Sequence, residues 1–163
     1  MQCPPGKFRS VFGGSSFTSC FDCDAGYYCP DFATIVPLAC RNGTYCPRGR
    51  VNETWCSPGF YCPAKTPNQI VCPKGFYCPG KSEFMFKCEN GTYCPQGSAF
   101  PIQCPAGSFG SGNPDNGDLK SSCVTCGRGM YSNPKLGNGL CFDCTPGYVC
   151  LGNTSTSTPL IKD

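Results

Sequence analysis

Nine cysteines fall in strict order: Cys40, Cys46, Cys56, Cys62, Cys72, Cys78, Cys88, Cys94 and Cys104. The spacing is C-x5-C-x9, so the pattern returns every 16 residues. The repeats read CRNGTYCPRGRVNETW, CSPGFYCPAKTPNQIV, CPKGFYCPGKSEFMFK and CENGTYCPQGSAFPIQ. A short period held in register means one small unit used again and again, each stabilised by its neighbours. It rules out a single large domain built around one core.

A wider motif, Cys-x-x-Gly-x-aromatic, opens at Cys3, Cys23, Cys40, Cys56, Cys72, Cys88, Cys104 and Cys126. A ninth copy opens at Cys144, with Val149 in the aromatic place and Tyr148 beside it. In copies two to six the motif closes at once with Cys-Pro, at Cys29, Cys46, Cys62, Cys78 and Cys94. Copies one, seven and eight run on to Cys20, Cys123 and Cys141, each followed by x-x-Cys. The glycine (Gly43, Gly59, Gly75, Gly91) permits a tight turn with positive φ. The aromatic (Tyr45, Tyr61, Tyr77, Tyr93) suits a short strand and covers a disulfide. The proline after the closing cysteine fixes φ and ends strand pairing. Neighbouring aromatics are expected to stack into a thin continuous core.

Composition supports a sulfur-stapled chain. There are 18 cysteines in 163 residues, with 21 glycines and 17 prolines. Leu, Ile, Val and Phe together number only 28, too few for a conventional core. Disorder normally needs more charge than the 14% found here, with a net charge of +3. A small-core chain with an even, high cysteine count reads as a disulfide scaffold. The expected fold is therefore small, disulfide-rich and mostly irregular with short β-hairpins, arranged as an elongated, solenoid-like tandem-repeat rod with a 16-residue period. Its segments are an N-terminal cysteine-rich module at 1–22, the tandem repeats at 23–103, cysteine-rich modules at 104–150 and a Ser/Thr-rich tail at 151–163.

The same features exclude functions. There is no histidine, which removes the commonest general base and zinc's usual nitrogen ligand. The charges are dispersed, with no basic stripe for nucleic acid. No apolar run reaches the length of a membrane span. The pairs Cys20/Cys23, Cys123/Cys126 and Cys141/Cys144 have zinc-ligand spacing. They are read instead as cysteines of adjacent disulfides at module junctions. The helix that usually carries a redox C-x-x-C is not foreseen either. Asn113, Asp115, Asn116 and Asp118 offer oxygen ligands but lack the order and closing Glu of a calcium loop, and read as a turn. The expectation is a non-enzymatic chain with no cofactor and no metal.

Four sequons, at Asn42, Asn52, Asn90 and Asn153, together with the cysteines indicate a secreted or cell-surface, extracellular glycoprotein. Asn42 and Asn90 share the third place of their repeats, which should face solvent, with the tyrosine three residues later on the packed side. Thr154, Ser155, Thr156, Ser157 and Thr158 are candidates for O-linked glycans on a spacer or flexible linker. The tail is also a candidate strand for addition to a neighbouring copy. The opening Met1-Gln2-Cys3-Pro4 lacks the apolar stretch of a secretion signal, so the chain is expected to be a mature segment or part of a longer precursor.

Parity narrows the disulfide pairing. Joining each opening cysteine to the next cysteine uses all of them: Cys3–Cys20, Cys23–Cys29, Cys40–Cys46, Cys56–Cys62, Cys72–Cys78, Cys88–Cys94, Cys104–Cys123, Cys126–Cys141 and Cys144–Cys150. Linking repeats through the nine-residue gap strands an odd number on each flank. Pairing one period onward stays open.

CPPGKF at 3–8, CPAGSF at 104–109 and CGRGMY at 126–131, each with a distant closing cysteine, resemble the ephrin-receptor-like cysteine-rich repeats. These are relatives of the TNF-receptor-like modules, in which the opening cysteine pairs with the distant one. That resemblance implies 3–20, 104–123 and 126–141. The compact CxxGxYCP array resembles the tandem form in large surface and matrix proteins. The array lacks the later interlocked cysteines of the full TNF-receptor module. The gaps between repeats carry apolar residues, of which Phe84, Met85 and Phe86 are the leading candidates for contacts between protomers; packing on a neighbouring repeat is the plainer reading. The expected function is an extracellular structural subunit that self-assembles into a surface filament, flagellar hair or matrix fibre. The alternative is a receptor or adhesion stalk binding a protein ligand. Expected partners are other copies of the chain or other extracellular proteins.

Overall fold

The computed structural model describes residues 2–9, 20–110, 123–133 and 140–159. Among them there is no helix, and so none long and apolar enough to cross a membrane. The described strands pair into eight antiparallel hairpins of two or three residues per strand. They are β1(Lys7–Phe8) with β2(Phe21–Asp22), β3(Tyr27–Tyr28) with β4(Leu38–Ala39), β5(Thr44–Tyr45) with β6(Thr54–Trp55), and β7(Phe60–Tyr61) with β8(Ile70–Val71). Then follow β9(Phe76–Tyr77) with β10(Phe86–Lys87), β11(Thr92–Tyr93) with β12(Ile102–Gln103), β13(Ser108–Gly110) with β14(Cys123–Thr125), and β15(Met130–Tyr131) with β16(Phe142–Asp143).

Each motif begins with a β-turn. The N–H of its fifth residue donates to the carbonyl just after the opening cysteine, as Thr44 does to Arg41 and Phe60 to Ser57, both at 3.1 Å. The glycine between them has φ of 78° at Gly43 and 84° at Gly59, while the residue before it keeps negative φ. That combination is a type II turn, which suits proline before the glycine, as at Pro58 and Pro146. The strand that leaves the turn pairs with the two residues before the next opening cysteine. The next opening cysteine then donates to the glycine carbonyl, as Cys56 does to Gly43 at 2.9 Å.

The disulfides follow chain order: 3–20, 23–29, 40–46, 56–62, 88–94, 104–123, 126–141 and 144–150. Cys72 and Cys78, the two that remain, are also disulfide-bonded. In the long repeats Arg9, Gly110 and Ser132 stand where the others have a closing cysteine. The sulfur is the core: among the described residues every buried hydrophobic residue is a cysteine. The expected core of stacked aromatics is therefore replaced by cystine. Tyr45, Tyr61, Tyr77 and Tyr93 are half-buried and meet their partners across their own hairpins. Tyr61 faces Ile70, Tyr93 faces Ile102, and Tyr77 stacks on Phe86 with ring centres 5.5 Å apart. Two-residue strands are too short to bury an aromatic between layers, so each ring can cover only its own rung.

The chain divides into two compact units, Met1–Val71 with Cys78–Met85, and Cys72–Tyr77 with Phe86–Asp163. Within the first unit, successive repeats join by the same three main-chain bonds. The turn glycine N–H donates to the next closing cysteine carbonyl, Gly26 to Cys46 and Gly43 to Cys62, both at 2.8 Å. The opening cysteine carbonyl accepts from a second turn in the next repeat, Cys40 from Lys65 at 3.0 Å and Cys23 from Gly49 at 2.8 Å. The closing cysteine N–H reaches the residue after that second turn, Cys46 to Thr66 at 3.0 Å and Cys62 to Ser82 at 2.8 Å. Within the second unit the rule recurs, with Gly75 on Cys94 and Gly97 on Cys72, both at 2.8 Å, and Gly129 on Cys150 at 2.8 Å. Each such bond is worth about 1 kcal/mol net, and none depends on a side chain.

The second turn is set by a residue in the left-handed region, three positions past the closing cysteine. Lys65 has φ 60° and Lys81 φ 67°, while Gly49 and Gly97 fill the same place. A Ser or Thr follows in most copies. Ser98 Oγ donates to Pro95 at 2.7 Å, and Ser82 Oγ donates to Pro79. Within the first unit this turn lies over the glycine two repeats back. A Cβ on Gly43 would stand 2.5 Å from the Lys81 carbonyl oxygen, and one on Gly6 would stand 2.6 Å from that of Gly49. Only glycine fits, for space as well as for φ.

Candidate functional site: sequons, tail and exposed apolar side chains

The four sequon asparagines are all exposed. Asn42 lies in the type II turn of the third repeat, and its Oδ1 accepts the Ala64 N–H at 2.9 Å. That leaves Nδ2, the atom that would carry a glycan, without a role in this bond. Thr44, the hydroxyl residue of the same sequon, is 0% exposed. Its Oγ1 donates to the Arg41 carbonyl at 2.8 Å and lies 3.0 Å from Glu53 Oε2. The Asn90 turn is built alike, with Thr92 Oγ1 on the Glu89 carbonyl at 2.7 Å. Pro58 and Lys74, in the same third place, are exposed too.

The Asn52 sequon is framed by an ion pair. Arg41 holds Glu53 through Nε at 2.7 Å and through Nη2, and its main-chain N–H adds a third bond at 3.1 Å. The Arg41 side chain is mostly in solvent, whereas that of Glu53 is only 13% exposed. The Arg41 hydrogen bond holds the Glu53 carboxyl below the usual carboxylate range, with the Arg41 N–H and Thr44 hydroxyl assisting and burial opposing. Arg41 in turn is raised by its bond to Glu53. In the first hairpin Lys7 pairs with Asp22 across the strands at 2.6 Å, and that hydrogen bond lowers Asp22. No sequence pattern singled out these pairs, although Lys7 and Asp22 occupy the first paired rung of their hairpin.

Asn153 occupies the second-turn place of the ninth repeat, with φ 53°. Its main chain lies over Gly107, two repeats back. The tail that follows is folded onto its own unit. Ser132 donates to the Thr154 carbonyl at 3.0 Å, Thr145 donates to Ser157 at 3.0 Å, and Thr154 forms a parallel bridge with Tyr131. Thr154 and Ser157 are half-buried, while Ser155, Thr156 and Thr158 are exposed. As far as Pro159 the tail is thus bonded to its own unit and is not a free linker. It supplies the last second turn of the array.

Phe84, Met85 and Phe86 are 52%, 39% and 37% exposed. Phe86 belongs to β10 opposite Tyr77, so one of the three is also a hairpin residue. Cys20, Cys23, Cys123, Cys126, Cys141 and Cys144 each sit in a disulfide with a cysteine outside the C-x2-C pair. Among the described residues no three His, Cys, Asp or Glu gather as a metal site. Asn113–Asp118 lies outside the described residues.

With every cysteine oxidised, the chain is a disulfide-rich tandem β-hairpin repeat protein of an oxidising environment. No protein-family model matches it, and no curated protein matches it either.

Proposed function

We propose that the chain is an extracellular structural glycoprotein, a self-assembling and non-enzymatic subunit of a surface filament, flagellar hair or matrix fibre. The observation that carries this reading is the repeat-to-repeat joint. Its recurring hydrogen bonds run between main-chain groups, so they can be repeated along an array, and head-to-tail contacts of this sort propagate. Exposed sequon asparagines and a cystine core suit a protein that faces proteases and solvent. N-linked glycans at Asn42, Asn52, Asn90 and Asn153, and O-linked glycans on the exposed tail hydroxyls, complete it.

The second reading is a receptor or adhesion stalk of the ephrin-receptor-like or TNF-receptor-like kind. The long-loop bonds 3–20, 104–123 and 126–141 favour it. Electron microscopy of the native, unreduced glycoprotein beside its sedimentation profile separates the two. Filaments with an axial repeat are expected. Monomers at every concentration would move the assignment to a stalk.

A further inference from the structure

Two of the four sequons lie inside a disulfide loop and two do not. Asn42 sits between Cys40 and Cys46, and Asn90 between Cys88 and Cys94. Each bond has a sequence separation of 6, and the paired Cα atoms stand 6.3 Å and 6.2 Å apart. The same stretch drawn straight would span about 20 Å. Asn52 falls between Cys46 and Cys56, which both pair away from it, and Asn153 follows the last cysteine.

A sequon is read through two groups, the asparagine amide and the hydroxyl two residues on, so a transferase must reach both. In the closed loops that hydroxyl is already used. Thr44 is 0% exposed, and its Oγ1 donates to the Arg41 carbonyl at 2.8 Å and lies 3.0 Å from Glu53 Oε2. Thr92 is half-buried, with Oγ1 on the Glu89 carbonyl at 2.7 Å. The Asn42 amide is itself engaged with the following repeat, through Oδ1 and the Ala64 N–H. Ser155, the hydroxyl residue of the Asn153 sequon, is exposed.

We propose that glycan transfer to Asn42 and Asn90 competes with closure of the 40–46 and 88–94 bonds, so that a loop which closes first keeps its sequon unmodified for as long as the bond holds. The proposal rests on the glycoprotein reading and names what regulates two of its sites. In transfer, the asparagine Nδ2 displaces a lipid diphosphate from the anomeric carbon of an oligosaccharide. An N–C bond forms, the C–O bond to the diphosphate breaks with its electron pair, and one Nδ2 proton passes to a base of the transferase. In closure, two thiols become a disulfide and their two electrons and two protons pass to a donor disulfide of the compartment. A glycan on Asn42 Nδ2 leaves Oδ1 its bond to Ala64, so modified and unmodified chains share one fold.

The test translates the chain, behind a secretion signal, into oxidising microsomes that glycosylate. Wild type is compared with Cys40→Ala/Cys46→Ala and with Cys88→Ala/Cys94→Ala. Glycans are trimmed to one N-acetylglucosamine and each asparagine is scored by peptide mass. Neither variant has to fold, because the readout is taken on the nascent chain. Where closure and transfer run at similar rates, loss of the bond should raise occupancy about twofold. That rise is expected at Asn42 alone in the first variant and at Asn90 alone in the second, with Asn52 unchanged in both. Full occupancy of Asn42 and Asn90 in the wild type, no change in either variant, or an equal rise at all sequons would overturn the competition and leave the glycoprotein reading standing. A chain with no glycan at any sequon would overturn both.

Discussion

Glycine in the opening turn answers two demands at once, and the two can be separated by position. At Gly43 a methyl group would have to adopt φ 78° and would also meet the Lys81 carbonyl. At Gly147 only the first demand applies. Gly43→Ala is thus expected to cost about 2–4 kcal/mol, and Gly147→Ala about 1 kcal/mol. Denaturant titration of the unreduced variants checks this, and equal losses would mean that the close approach contributes nothing. Glu53 makes a second residue-scale prediction. Its carboxyl is held below the usual range in the folded chain, so the folded state prefers it ionised. That stabilisation is complete above the unfolded value of about 4.3 and is lost as pH falls through the lower folded value, because the unfolded chain binds the proton first. Wild type should lose more stability than Glu53→Gln between about pH 5 and pH 3, and the Glu53 carboxyl carbon should titrate below its usual midpoint by NMR. Parallel pH profiles would show the ion pair to be without effect.

At the scale of the element, the hairpin is stapled before it is packed. Cys56 and Cys62 close a loop with a separation of six residues. Replacing both by alanine should cost about 2 kcal/mol from loop closure alone. Protection in amide exchange should fall most at Gly59, Cys62 and the donor Gly43, and least in the first repeat. A uniform loss would mean that the repeats unfold as one block. The period, the turn glycine and the short hairpins were legible in the sequence, because cysteine and glycine are each tied to one physical task. The second turn was not. Its left-handed place holds Gly49, Lys65, Lys81, Gly97 and Asn153, and lysine carries no mark of positive φ. The Ser or Thr after it, at Thr66, Ser82, Ser98 and Thr154, was the signal available. The residue two before each opening cysteine was another, since Ile70, Phe86 and Ile102 face Tyr61, Tyr77 and Tyr93. The tail was misread because its composition is that of a linker, whereas its order comes from main-chain bonds that composition cannot show.

At the scale of the whole molecule, a core made of cystine has no apolar substitute. Reduction with alkylation is expected to abolish near-UV circular dichroism and protease resistance together, since no larger hydrophobic residue is buried among the described residues. Retention of either signal would require a core other than sulfur.

The recurrence of the same main-chain bonds at successive joints also bears on ancestry. Where neighbours recognise one another through carbonyls and amides, a gene can gain or lose a whole unit without any compensating change elsewhere. Outside the cysteines, the glycines and the few side chains that brace a turn or a hairpin, sequence is then free to drift, and lineages can diverge in wording while keeping the same number of rungs or changing it. Excision of residues 40–55 imitates one such event. The shortened chain should still fold, with 16 of the original 18 cysteines all paired by mass spectrometry, because Lys65 takes over above Gly6 the seat that Gly49 vacates. Scrambled pairing in that deletion would mean that each repeat is fitted to its own neighbours after all, and that the array grew by slow co-adaptation instead of by copying.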